Sequence, residues 1–255
     1  MDKLKSLNKI RSKLAKGDYS IGSWIQLESP SSAEILGNSG YDWIAVDLEH
    51  GSISISQIPN IFRSLELRDT LPLARLSEGN SNTCKRALDA GAAGVIIPKI
   101  ETSKQLQNLI KFCKWPPKGN RGVGFSRANL YGDYFNEYKE EATNPFIVAM
   151  IETKNGLKNI KEILSVKGLD AILIGPYDLS ASLGKTGDLN NPLVEESIES
   201  ILKNCINSSI PAGIHIVNPR IDDLKDKINA GYRFIAYSID TVFLNVISKN
   251  PLKDL

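Results

Sequence analysis

Asp89 to Ile97 reads DAGAAGVII, and this stretch decides the fold. An amphipathic run, Thr83 to Ala90, leads into it with helical spacing. Gly91 stands where that helix must end, because glycine takes the left-handed closing conformation without a Cβ clash. The apolar run that follows is short, continuous and rich in Ile, Val and Ala, as in a strand buried on both faces of a parallel sheet. The same order recurs in NSGYDWIAV (Asn38 to Val46), VKGLDAILI (Val166 to Ile174) and NAGYRFIAY (Asn229 to Tyr237). Four more runs complete a set of eight: SIGSWIQL (Ser20 to Leu27), LPLARL (Leu71 to Leu76), FIVAMIE (Phe146 to Glu152) and PAGIHIV (Pro211 to Val217). Amphipathic stretches such as Ser56 to Leu67, Ser103 to Cys113 and Leu193 to Asn207 lie between them. Eight βα units in about 250 residues predict an α/β chain folded as one (β/α)₈ barrel domain over residues 1–255, with an open doubly wound sheet as the alternative. Leu4, Leu7, Ile10 and Leu14 form an N-terminal stripe at helical spacing, which predicts a helix capping one end of the barrel.

The segment from Trp115 to Pro145 breaks this rhythm with Pro116, Pro117 and four glycines, interleaved with Lys118, Arg121 and Arg127. Its length predicts a functional loop, and its aromatic residues argue against disorder; the expectation is an extended βα loop over the active face.

The whole composition narrows the function. Lys and Arg number 31 against 29 Asp and Glu, a net charge of +2, which does not suit a dedicated nucleic-acid binder. No apolar run approaches the ~18 residues that span a bilayer, and MDKLKSLNKIRSKLAKGD lacks the apolar core of a secretory signal. Cys84, Cys113 and Cys205 are widely spaced, with no CxxC, so neither a disulfide framework nor a thiolate zinc site is expected, and a reducing cytoplasm is the expected compartment. His50 and His215 are the only two histidines. A three-histidine zinc site is therefore excluded, and a metal would sit on carboxylates, favouring Mg²⁺ or Mn²⁺.

A (β/α)₈ barrel works at the C-terminal ends of its strands. The polar residues expected there are Asp47, Glu49 and His50 after strand two, Arg75 closing strand three, Lys99 after strand four, Glu152 closing strand five, Asp178 after strand six, and His215 in strand seven. So many ionisable groups from different strands on one rim would be costly without a counter-ion or ligand. Glu152 and Asp178, on neighbouring staves, either share a divalent ion or interact with helix dipoles. His50, an imidazole beside Asp47 and Glu49, is a candidate general base or a side chain held by loop backbone. Arg75 suits a developing oxyanion or a structural ion pair. Lys99 could form a Schiff base with a keto substrate, although a salt bridge or solvent is the more ordinary fate, and His215 reads as a satisfied polar residue within a strand. Gly122-Val123-Gly124 follows a helix and lacks the third glycine of a dinucleotide fingerprint, and Gly184-Lys185-Thr186 lacks the first glycine of a P-loop.

YDWIAVDLEHG (Tyr41 to Gly51), PLARL (Pro72 to Leu76), RALDAGAAGVIIPKI (Arg86 to Ile100), GNRGVG (Gly119 to Gly124), MIET (Met150 to Thr153) and IGPYDLSASLG (Ile174 to Gly184) occur in this order. Together they resemble the HpcH/HpaI aldolase/citrate lyase family, class II metal-dependent pyruvate aldolases such as 4-hydroxy-2-oxoheptanedioate and 2-dehydro-3-deoxyglucarate aldolases. The resemblance implies a (β/α)₈ barrel assembled as a homo-oligomer, a hexamer in the family, acting on small 2-keto acid and aldehyde substrates with neither nucleic acid nor membrane as partner. It implies that Glu152 and Asp178 hold Mg²⁺ or Mn²⁺, with Co²⁺ as a third candidate. It also implies that Arg75 stabilises the pyruvate enolate and that His50, partnered by Asp89, acts on the aldol hydroxyl. The Gly175-Pro176-Tyr177-Asp178 turn would bind substrate, the N–H groups of Tyr177 and Asp178 receiving the carboxylate.

Met150, where many members carry Gln, and Lys99, where better-known members carry an uncharged residue, depart from that pattern. So does GFSRANLYG after Gly122-Val123, and Arg121 and Arg127 point to an anionic or polyhydroxylated distal group on the substrate. The expected activity is cleavage or formation of a 4-hydroxy-2-keto acid, giving pyruvate and an aldehyde. The alternatives are another enolate-forming C–C lyase or 2-keto acid decarboxylase on the same barrel, and a catalytically silent acid-binding barrel.

Overall fold

The computed structural model describes residues 1–250. Eight strands close into one barrel in chain order, every neighbouring pair parallel. They are β1 (Ser20–Ile25), β2 (Trp43–Asp47), β3 (Leu71–Arg75), β4 (Gly94–Ile97), β5 (Phe146–Ile151), β6 (Ala171–Ile174), β7 (Ala212–Ile216) and β8 (Phe234–Ile239). Closure of β8 on β1 rules out the open sheet. Helix α1 (Lys3–Ala15) precedes the barrel, and α2 (Pro30–Gly37), α3 (Ile58–Glu66), α4 (Ser81–Asp89) and α5 (Ser103–Cys113) follow the first four strands. The second half carries α6 (Tyr138–Thr143), α7 (Lys154–Lys158), α8 (Ile160–Leu164), α9 (Pro176–Ser182), α10 (Pro192–Asn207), α11 (Ile221–Ala230) and α12 (Asp240–Ile247). Residues 251–255, which the single-domain expectation included, lie outside the described residues.

The helix-then-glycine pattern has its expected cause. Gly40, Gly91, Gly168 and Gly231 all take positive φ, between +84° and +110°, and a strand follows each almost at once. Alternate residues of each strand divide between two cores. Trp43, Ala45, Leu71, Leu73, Phe146, Val148 and Phe234 fill the barrel, while Ile44, Val46, Ala74, Ile147 and Ile235 pack outward under the helices. Gly22 is required inside: a Cβ there would lie 2.1 Å from the Trp43 ring.

Helix α1 closes the N-terminal end of the barrel. Leu7, Ile10 and Leu14 are buried against the first inward-facing residues of the strands, Trp43, Leu71, Phe146 and Phe234. Leu4, the first residue of the expected stripe, is only half-buried and stands outside that cluster. Arg11 holds the helix in place, donating to Asp170 at 2.7 Å and to the carbonyls of Asn144 and Pro145, and Lys13 meets Asp42 at 2.7 Å. Leu7→Ala is therefore expected to open a cavity under the barrel floor and lower unfolding free energy by about 2–5 kcal/mol, read by urea denaturation.

The long irregular segment is corrected by the topology. It joins the end of α5 to the start of β5, so it lies at the N-terminal end of the strands, opposite the face that its sequence suggests. Trp115, Phe135 and Tyr138 give it a small core of its own. Arg127 fastens it to the barrel, its guanidinium donating to Glu66 at the end of α3 and to the Ala90 carbonyl at the end of α4.

Candidate active site

Strand register builds the site. Trp43, Ala45 and Asp47 point into the barrel beside Leu71, Leu73 and Arg75, so the last inward positions of β2 and β3 bring Asp47 and Arg75 side by side. On β5 the inward series Phe146, Val148, Met150 continues to Glu152, one residue past the strand. Helix α9 opens directly after β6 and places Asp178 in its first turn, and His215 comes from β7. These side chains converge on a cavity of about 320 Å³ at the C-terminal mouth, lined by Trp24, Gln26, Asp47, His50, Arg75, Met150, Glu152, Gly175, Pro176, Tyr177, Asp178 and His215. A larger cavity, about 600 Å³, lies at the opposite end, but two of its carboxylates, Glu66 and Glu141, already face Lys3 and Arg127.

Charge compensation at the mouth is uneven. The Arg75 Nε and Nη2 groups donate to the two Asp47 oxygens at 2.9 and 2.8 Å, and the guanidinium lies 4.9 Å from the Trp24 ring centroid. Its third nitrogen, Nη1, is 3.5 Å from Glu49, whose other oxygen is 3.3 Å from the Lys99 ammonium. Burial raises the Asp47 carboxyl, but the Arg75 hydrogen bonds and charge, the Gln26 amide and the His50 N–H together hold it below the usual range. The same Asp47 oxygen accepts the N–H groups of Glu49 and His50, so one carboxylate positions both the arginine and the histidine turn.

Glu152 and Asp178 have no such compensation: among the described residues, neither has a cationic side chain within ion-pair distance. Glu152 is 1% exposed. Its Oε1 accepts the Lys99 N–H at 2.7 Å. Burial, with the charges of Glu49 and Asp178, pushes its pKa up to about 7. Gly175 leaves room beside the other oxygen, since a Cβ there would stand 2.5 Å from Glu152 Oε2. Two oxygen donors just past the ends of adjacent strands, Glu152 after β5 and Asp178 in the first turn of α9, fit a hard divalent cation. Among the described residues no group of three or more His, Cys, Asp or Glu side chains is arranged to hold a metal, so such an ion would take its remaining ligands from water or substrate.

Two of the sequence candidates lie at the other end of the barrel in this chain, and a third, Lys99, takes a different role at the rim. Asp89 ends α4 at the N-terminal end of the barrel, where its carboxylate is 4.0 Å from Arg121 Nε, so within this chain it does not meet His50. Arg127 is at the same end, committed to Glu66, so in this chain it does not reach the substrate cavity. Lys99 stays at the rim with 61% of its side chain exposed, and its hydrogen bond to Glu49 and the charge of that carboxylate raise its pKa. A Schiff-base lysine needs the opposite shift. Its contribution is instead the backbone N–H on Glu152, presented from a left-handed conformation at φ 53°. Sequence reading missed Trp24 and Gln26, although a signal was present: SIGSWIQL, like the other strands, carries a polar residue near its C-terminal end. Gln26 donates to Asp47 at 2.9 Å.

Residues 20–245 match the model of the HpcH/HpaI aldolase/citrate lyase family. The chain is 34% identical over 240 residues to hydroxypyruvate/pyruvate aldolase of Roseobacter denitrificans, across 93% of each chain. It is 33% identical over 237 residues to 2-keto-3-deoxy-L-rhamnonate aldolase of Escherichia coli K12, across 92% of this chain and 88% of the relative. A solved HpcH/HpaI aldolase/citrate lyase family protein from Burkholderia cenocepacia superposes with a TM-score of 0.90 at 29% identity, over 97% of this chain and 98% of that one. The match runs from the first strand through most of α12, and on that extent the chain belongs to the HpcH/HpaI aldolase/citrate lyase family.

Proposed function

We propose that this chain is a divalent-metal-dependent carbon–carbon lyase that cleaves or forms a 4-hydroxy-2-keto acid, with pyruvate and an aldehyde as the smaller partners. The observation that carries this reading is the uncompensated pair Glu152 and Asp178 beside a fully paired Asp47–Arg75–Glu49–Lys99 network. Glu152 and Asp178 would hold Mg²⁺, Mn²⁺ or Co²⁺, and the bound ion supplies Lewis-acid polarisation of the keto group. Tyr177 and Asp178 are first-turn residues of α9, so their N–H groups lack intrahelical acceptors and are free to receive the substrate carboxylate. Arg75, its Nε–Nη2 edge held by Asp47, turns Nη1, which lies 3.5 Å from Glu49, to the keto oxygen and stabilises the negative charge that develops there as the bond breaks. His50 takes the proton from the C4 hydroxyl as the aldehyde leaves, and the enolate carbon takes a proton from solvent to give pyruvate. In the synthetic direction pyruvate first loses that C3 proton to solvent, and His50 returns its proton to the aldehyde oxygen.

The same reading carries a homo-oligomer. Leu244 and Ile247 on α12, and Val123, Phe125 and Tyr131 in the segment after α5, are exposed apolar side chains of the kind an assembly covers.

The test is pyruvate release from a panel of 4-hydroxy-2-keto acids, with oxaloacetate alongside. Chelation is expected to abolish turnover and added Mg²⁺, Mn²⁺ or Co²⁺ to restore it. His50→Ala is expected to lower aldol cleavage by about 10²–10⁴-fold while leaving the metal-induced rise in melting temperature in place. Turnover that survives chelation would overturn the reading, and turnover of oxaloacetate alone would move it to a decarboxylase.

A further inference from the structure

His215 has no part in the chemistry above, yet it is built firmly into the cavity wall. It lines the cavity together with Arg75, Glu152 and Asp178, its ring 5.5 Å from that of Trp24. One ring nitrogen, Nε2, is 3.3 Å from the Ser238 carbonyl oxygen. A carbonyl only accepts, so Nε2 carries the proton, and in a neutral imidazole Nδ1 is then a bare acceptor. Burial pushes the His215 pKa down to about 4, with the Arg75 charge adding to the effect, so the ring is neutral at ordinary pH.

The backbone around Ser238 is shaped to hold that arrangement. Ser238 is fully buried and takes φ 57°, a left-handed conformation rare for a residue with a side chain. Its carbonyl also accepts from Ser23 Oγ at 3.1 Å, and its own hydroxyl donates to the Val217 carbonyl at 2.9 Å. Three strands thus lock the tautomer and orientation of one imidazole. Nδ1 has no protein partner among the described residues, and it is not sealed off as a buried orphan, so it is open to the cavity. Gln26, another polar side chain on the wall, is already committed: it donates to Asp47 at 2.9 Å and accepts from Thr241 at 3.2 Å.

We infer that His215 is a specificity-determining residue whose Nδ1 accepts a hydrogen bond from a substrate hydroxyl, so that the site favours hydroxylated 2-keto acids over their deoxy counterparts. The inference rests on the aldolase reading for the substrate class and names a feature of that class. A fixed acceptor facing an apolar hydrogen is left unpaired, which is how a polar site rejects the analogue that lacks a hydroxyl.

The experiment is calorimetric binding in the presence of Mn²⁺ of two matched pairs, pyruvate with hydroxypyruvate and 2-ketobutyrate with 4-hydroxy-2-ketobutyrate. Turnover of the last compound is measured in parallel. The wild-type protein is expected to bind the hydroxylated member of at least one pair about tenfold more tightly. His215→Leu should bring that ratio close to one, and His215→Gln, which keeps an acceptor, should restore part of it. The inference is overturned if the wild type discriminates in neither pair, or if His215→Leu keeps the wild-type ratio. Discrimination without turnover would sink the aldolase reading and leave the role of His215 standing; turnover without discrimination would do the reverse.

Discussion

Glu152→Gln is expected to give a protein that is inactive yet more stable than the wild type when both are stripped of metal. The wild-type carboxyl is 1% exposed, and burial with the neighbouring charges of Glu49 and Asp178 pushes its pKa up to about 7, against an ordinary 4.5. A group whose pKa is raised on folding contributes stability below its unfolded value and loses that contribution as pH rises through the folded value. Metal-free wild type should therefore weaken between pH 4.5 and 7, by about 3 kcal/mol in all. The amide of the variant still accepts the Lys99 N–H through its carbonyl and has nothing to ionise, so that part of the pH profile disappears. Added Mg²⁺ or Mn²⁺ reverses the order of the two proteins: the wild type gains stability with ion concentration and the variant does not. Thermal melts at pH 5, 7 and 8, with and without Mn²⁺, read both effects. A variant no more stable than metal-free wild type at pH 8 would mean that Glu152 is not held under electrostatic strain. A variant with an undiminished Mn²⁺ response would remove it from the ion's ligands.

This antagonism between stability and function is what sets the site apart in the sequence, where ionisable residues at successive strand ends have no evident reason to share a rim. The structure pairs most of them. Which carboxylates pair and which stay uncompensated depends on strand register, and the sequence contains it only indirectly. Asp47 and Arg75 are last inward-facing residues of adjacent strands, so their contact follows once β2 and β3 are aligned. Lys99 is the opposite case: its residue type suggests covalent chemistry, whereas its working atom is a backbone N–H aimed by a left-handed φ that no side-chain pattern announces.

The barrel itself is legible because glycines at helix ends and short apolar runs leave marks that recur along the whole chain. Arg127 is misplaced by sequence reading for a topological reason. The irregular segment invites judgement by its length and its arginines, but it follows a helix, and a helix-to-strand connection in this fold returns to the N-terminal end. Asp89 closes α4 and so belongs to that end as well. His215 reads as an ordinary strand residue because the Ser238 carbonyl that fixes its tautomer lies on the neighbouring strand, 23 residues away.

Arg75→Lys is expected to lower kcat/KM by about 10²–10³-fold, mostly through kcat, and to do so without loss of metal binding. Charge is retained in this variant, so the effect isolates geometry. The guanidinium is planar, is held along one edge by both Asp47 oxygens and lies against Trp24, which fixes Nη1, 3.5 Å from Glu49, in one place before substrate arrives. An ammonium on a flexible stem cannot reproduce two parallel bonds and the ring contact together. Asp47→Asn separates positioning from charge. Its side-chain oxygen can still take the N–H groups of Glu49 and His50, but its amide group repels the donor edge of Arg75, so kcat should fall while the histidine turn persists. Asp47 also has a depressed pKa, so its contribution to stability is present above pH 3.8 and is lost as pH falls through the folded value. The asparagine variant lacks that loss and should show a flatter acid limb in pH-dependent unfolding. Turnover of Arg75→Lys within about twofold of the wild type would show that the arginine is a strut for Asp47 and takes no part in stabilising the oxyanion. A fall shared by Arg75→Lys and Asp47→Asn, with the Mn²⁺ response intact in both, assigns that stabilisation to the ion pair acting as a unit.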